Sequence, residues 1–209
     1  MSRLSSLFLS IALLFLSAWL GIVVYSYLQL GRLTSFAGSD GVLPPDFSGR
    51  AILGAQVYAA NGCVTCHSQQ IRQTSVTRSD IDRGWGKRPS VARDYLRDRT
   101  AFLGTMRIGP DLSNVGLRLS DPLWHYQHLY EPDRIVPGST MPSVRYLFKL
   151  QKIQGQPSEE AIPLVGSYAP QQGYEVIPTE DAKNLVTYLL SLKHDYTLPE
   201  VSPDVTPTP

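Results

Sequence analysis

The stretch "NGCVTCHSQQIR", residues 61–72, holds both cysteines of this 209-residue chain, Cys63 and Cys66, with His67 directly behind them. That spacing constrains the chain more than any other feature. A structural zinc site takes four ligands, usually in two spaced pairs of Cys or His. The sequence has no second cysteine pair, and its other histidines are His125, His128 and His194. A thioredoxin-like dithiol sits in a βαβ setting, whereas the flanks of this motif read as helix and then loop. A disulfide accounts for the cysteines and leaves the histidine without a role. Attachment of a c-type haem accounts for all three residues: two thiols add to the two porphyrin vinyl groups, and the next imidazole falls under the iron. The expected cofactor is one covalent haem c on Cys63 and Cys66, with His67 as an iron ligand.

The run Leu7 to Leu28, "LFLSIALLFLSAWLGIVVYSYL", carries no charge. As a helix it is roughly 33 Å long, enough to cross a bilayer core of about 30 Å. A secretory signal has an apolar core of only about 7 to 15 residues, so residues 1–30 read as a retained single-pass anchor in the lipid bilayer. Trp19, Tyr25 and Tyr27 suit the membrane interface. Arg3 and Arg32 lie on opposite sides of the span, so charge hardly sets its orientation. The haem does: haem c is assembled outside the cytoplasm in bacteria. Residues after 30 are therefore expected on the periplasmic side of the cytoplasmic (inner) membrane.

Residues 31–47, rich in Gly, Ser and Pro, read as a linker. Ser48 or Gly49 opens a helix, "RAILGAQVYAA", that runs into the haem motif. Thr179 reads as an N-cap followed by Glu180 and Asp181, and Ala182, Leu185, Val186 and Leu189 form an apolar helical stripe. One helix entering the motif, one closing the chain and irregular segments between them predict a mainly α, cytochrome c-like haem domain over residues 48–195. Gly54 would allow the two helices to cross closely, with Tyr58 and Tyr188 near the crossing. The Pro-rich tail, residues 196–209, is expected to be disordered.

Net charge is only +1, yet residues 72–107 carry nine basic and four acidic side chains, and residues from 151 onward three basic and eight acidic. This asymmetry suggests two docking faces of opposite sign. No aromatic and basic interleaving accompanies the arginines, so nucleic acid is not expected as a partner.

The far side of the iron needs a ligand from later in the chain, and Met and His commonly serve. Met141, in the proline-flanked loop "VPGSTMPS", is favoured over Met106 in "GTMRIGPD". His125 and His128, three apart on a short helix, are the runners-up.

Taken in order, "GCVTCHSQQIR", "GTMRIGPDLSNVGLRLSD" and "WHYQHLYEPDRIVPGSTMP" resemble the mono-haem, membrane-anchored cytochrome c subunit (subunit II) of cbb3-type haem-copper oxidases. The resemblance covers the anchor and residues 50–142, and Gln69, Ile71 and Arg72 sharpen it. It implies His67 and Met141 as axial ligands, with the Pro110 carbonyl on the far nitrogen of His67. It also implies electron transfer from a donor, cytochrome c or another membrane cytochrome, toward a catalytic haem-copper subunit among other membrane subunits. The segment Trp85 to Tyr95 would pack against that catalytic subunit. The family commonly carries Lys where Met106 stands, which marks Met106 as a non-ligand. Residues 143–178 depart from the family pattern and are expected to meet some further partner.

Three rivals differ in class. The anchored cytochrome c subunit of a nitric oxide reductase shares the architecture, but "HSQQIR" argues against it. A c-haem enzyme would need an open iron site with an acid or base beside it. A haem serving only as a fold staple would lie far from any other cofactor.

Overall fold

The structure, a computed structural model, describes residues 3–31, 33–38, 41–73 and 78–201. Helix α1 spans Arg3–Leu30 with a π-turn at Leu20–Val24. At 28 residues it is about 42 Å long. None of it is buried in the protein, and its leucines and phenylalanines are exposed. Such a surface is stable only in lipid, where the helix satisfies its own backbone. Arg32, on the far flank, lies outside the described residues.

The expected linker is partly structured. Strands β1 (Phe36–Gly38) and β2 (Gly41–Leu43) form a short antiparallel hairpin, and Leu43 is buried. Helix α2 (Gly49–Ala60) follows, with the Ser48 hydroxyl accepting from the Ala51 N–H at 3.2 Å. The haem motif turns through a 3-10 segment, Cys63–Thr65. Short helices α3 (Val115–Arg118), α4 (Pro122–Tyr130) and α5 (Pro132–Ile135) precede strands β3 (Phe148–Lys152) and β4 (Tyr174–Pro178) and helix α6 (Glu180–Ser191).

The first and last helices of the domain cross as expected. α2 presents Ala51, Gly54 and Tyr58 to α6, while Leu53 stays half exposed. A Cβ on Gly54 would sit 1.9 Å from the Asn184 carbonyl oxygen, so only glycine fits. Around this contact Tyr58, Tyr188, Phe102 and Phe47 form an aromatic cluster, with Tyr58–Tyr188 centroids 5.6 Å apart. The α6 stripe Ala182, Leu185, Val186 and Leu189 is buried, and Thr179 caps the helix, accepting from the Ala182 N–H.

Residues 143–178 are a structured layer of the domain. β3 and β4 pair antiparallel, Phe148 with Pro178 and Lys152 with Tyr174. The Ile162 N–H donates to the Val176 carbonyl on the other edge of β4. Leu147, Phe148, Ile162, Leu164 and Val176 join the same core as α6, and Phe148 meets Tyr130 edge-on at 5.3 Å. Alternation along "YEVIP" was too short to signal a strand before its partner was known.

The charged segments are partly paired within the domain, and the tail departs from expectation. Part of the basic segment is paired within the protein, while Arg78, Arg83, Lys87 and Arg99 stay exposed. Arg88 is buried against Asp94, Arg93 pairs with Glu200 at 2.6 Å, Arg97 with Asp46 at 3.2 Å, and Arg107 with Asp80. On the acidic side, Glu180 meets Arg50 and Lys183, Glu160 meets Lys183, and buried Glu175 accepts from Gln151 and the Ser158 N–H. These pairs offset part of each charge excess, and Glu159, Glu160, Glu180 and Asp181 stay exposed on the acidic side. The tail is ordered through Val201: Leu198 is buried and the Tyr196 carbonyl accepts from Arg88. Residues 202–209 lie outside the described residues.

Candidate functional site

α2 ends at Ala60 with Asn61 as its C-cap, and Gly62, at φ +65°, turns the chain into the motif. The His67 N–H donates to the Cys63 carbonyl at 3.0 Å, which closes a tight loop with both cysteines on one short arc. Both thiols are free rather than joined in a disulfide. Burial pushes the Cys63 thiol up to about 11, so it stays protonated at neutral pH.

His67 is held from its far nitrogen: Nδ1 lies 2.8 Å from the Pro110 carbonyl oxygen. A carbonyl only accepts, so Nδ1 carries the proton and Nε2 keeps its lone pair. Burial lowers the His67 pKa against the opposing pull of the Pro110 carbonyl and Asp111, which favours the neutral ring. Such a second contact fixes ring orientation and tautomer and raises ligand basicity.

The loop behind that carbonyl is moulded to the ring. A Cβ on Gly109 would meet His67 Cε1 at 2.2 Å, and the Gly109 N–H donates to the Cys66 carbonyl at 3.0 Å. Buried Asp111 ties the loop to the motif, accepting from Ser68 Oγ at 2.6 Å, the Gln70 N–H at 2.7 Å and the Ser113 N–H at 2.8 Å. Sequence reasoning named neither Gly109 nor Asp111. The signal for Asp111 was present in "PDLS", where an Asp can accept from the backbone two residues on.

"SQQIR" proves to be a buried strap. The Gln69 carbonyl accepts from Tyr95 Oη at 2.7 Å, and its side-chain oxygen accepts from Tyr188 Oη at 2.9 Å. Ile71 is buried. Arg72 reaches the Gly104 carbonyl. Trp85, at the start of the segment expected at the catalytic subunit, has the guanidinium groups of Arg83 and Arg107 over its ring at 5.1 and 5.9 Å.

Across from the motif a cavity of about 90 Å³ is lined by His67, Pro110, Leu112, Trp124, His128, Leu129 and Met141, with Arg118 and His125 also contributing. Met141 therefore shares a cavity with His67. Its loop is pinned by Asp133, whose Oδ1 accepts from the Gly138 N–H at 2.7 Å. Met106 is 51% exposed and lies outside this cavity. His125 is buried, with Nε2 at 2.7 Å from the Leu119 carbonyl. His128 stacks on Trp124 and is pushed down to about 4, by burial first and then by His125 and His67.

These residues fit a haem. An imidazole with an open Nε2 and a thioether share largely apolar walls, and two free thiols lie on the turn that carries the imidazole. Arg118 Nη2 donates to the Asp111 carbonyl at 2.6 Å, while its buried Nε meets no partner among the described residues, and a free guanidinium N–H suits a group that carries carboxylates.

A family profile described as "cytochrome c oxidase, mono-heme subunit/FixO" matches residues 42–187. The chain belongs to the FixO family. No curated protein matches it. FixO proteins are the mono-haem cytochrome c subunits of cbb3-type oxidases. The chain is thus a haem-bearing, electron-transferring subunit of a multi-subunit respiratory oxidase, and its apolar α1 anchors it to the membrane. Residues 143–178, with their hairpin, lie within the matched span.

Proposed function

We propose that this FixO chain holds one haem c covalently through Cys63 and Cys66, with His67 and Met141 as the axial iron ligands and Pro110 orienting His67. It stands on the periplasmic side and relays electrons from a cytochrome donor toward the catalytic haem-copper subunit. The observation that carries the ligand set is that His67 and Met141 line one cavity while Met106 stands exposed outside it. Haem bound there supplies a one-electron carrier, and thioether ligation raises its potential relative to two histidines. The chain's own work is positional. Pro110 and Gly109 fix the His67 ring, Asp111 locks their loop to the motif, and Leu112, Leu129 and Trp124 keep water from the crevice. Filling both axial positions leaves no open site, which suits electron transfer and not substrate chemistry.

Two results are expected. Haem stays with the polypeptide through acid-acetone extraction, and Cys63→Ala/Cys66→Ala releases it; free extraction from the unaltered chain would overturn the covalent reading. Met141→Ala abolishes the weak long-wavelength thioether band of the oxidised spectrum and lowers the potential, whereas Met106→Ala leaves both nearly intact. The reverse pattern would move the ligand to Met106.

A further inference from the structure

The crevice contains a second imidazole that the ligand set above does not use. His128 lines the same cavity as His67 and Met141. Trp124 stacks on its ring, with centroids 4.7 Å and planes 17° apart, which keeps the imidazole at the cavity wall. The next residue, Leu129, accepts through its carbonyl from the Val144 N–H at 2.9 Å, which ties the turn bearing His128 to the segment just after Met141. Nδ1 of His128 is buried and meets no hydrogen-bond partner among the described residues. Buried ring nitrogens are normally paired, and a neutral imidazole always keeps one ring nitrogen with a lone pair to offer. The other histidines differ. His125 is committed to the Leu119 carbonyl, and His194 lies against Tyr95 and Tyr196, away from the crevice.

We propose that His128 is a reserve ligand of the haem iron. Resting on the His67/Met141 reading, its imidazole takes the distal position when the Met141 thioether is absent or displaced. The step is a ligand exchange: an iron–sulfur bond breaks, an iron–nitrogen bond forms from a neutral imidazole, and no electron or proton is transferred. Two histidine ligands lower the potential relative to His/Met. The iron nevertheless stays six-coordinate, so loss of the thioether produces a slower electron carrier and not a haem open to small molecules.

The test uses the full-length haem-loaded chain in detergent, comparing Met141→Ala, Met141→Ala/His128→Phe and Met141→Ala/His125→Gln. Met141→Ala is expected to remain low-spin when oxidised, with the near-infrared signature of two imidazoles, and to bind little carbon monoxide when reduced. Adding His128→Phe turns the haem high-spin and opens it to carbon monoxide; adding His125→Gln changes neither property. Where the alanine variant does not accumulate with haem, Met141→Leu keeps the side-chain volume and supports the same comparison. A Met141→Ala protein as high-spin and as reactive as the His128 double variant would overturn the proposal, as would a double variant that stays bis-imidazole. The underlying reading fails separately: it falls if the unaltered protein lacks the thioether band, whatever the variants do.

Discussion

Gly54→Ala is expected to destabilise the haem domain severely, although intrinsic helix preference points the other way. In an open helix, alanine in place of glycine gains up to about 1 kcal/mol. Here the added methyl would lie 1.9 Å from the Asn184 carbonyl oxygen, 2.5 Å from its carbon and 2.7 Å from Tyr188 Cβ. Two of those atoms are backbone, which no rotamer change can clear. α2 and α6 must separate, and the Tyr58–Tyr188–Phe102 cluster opens with them. Overpacking of a core typically costs about 1–3 kcal/mol, and a clash with backbone belongs at the upper end. For a domain of this size the unfolding midpoint should then fall by roughly 10 °C. Gly49→Ala is the control, since a Cβ there meets nothing within 4 Å; its midpoint should hold or rise slightly. A Gly54→Ala protein that melts with the unaltered chain would sink the close-crossing account.

Arg88→Met should be at least as damaging, and the loss should appear in the domain's own stability. Arg88 donates from Nη1 and Nη2 to Asp94 at 2.9 and 2.7 Å and from Nε to the Tyr196 carbonyl at 2.7 Å. The two side chains are 1% and 0% exposed. Removing one partner strands a buried carboxylate, which costs about 3–5 kcal/mol. Arg88→Lys rescues little, because an ammonium cannot reproduce the forked contact. Arg88→Met/Asp94→Leu should recover much of the loss, since apolar replacement of both members of a buried pair is often near neutral. Thermal unfolding of the four proteins checks this. If Arg88→Met melts normally and only loosens the oxidase complex, the arginine faces a partner after all.

The second case shows where sequence reasoning ran out. The excess of basic residues over 72–107 is real, but a charge count does not say which guanidinium groups find carboxylates. Asp46 and Glu200, far away in sequence, neutralise Arg97 and Arg93. The hairpin of residues 148–178 was equally hidden, because two short strands become stable only when paired with each other and packed on α6.

The sequence alone determined what depends on local spacing. It gave two thiols and an imidazole within five residues, an uncharged run long enough for a bilayer, the Ser48 and Thr179 caps, and the apolar stripe of α6. Each follows from covalent reach or helical period, which need no knowledge of the rest of the fold. Only the tertiary structure decided which of Met106 and Met141 shares a cavity with His67, why Gly109 must lack a side chain, and which arginine is buried. Those outcomes depend on distances between segments tens of residues apart, and packing alone sets them.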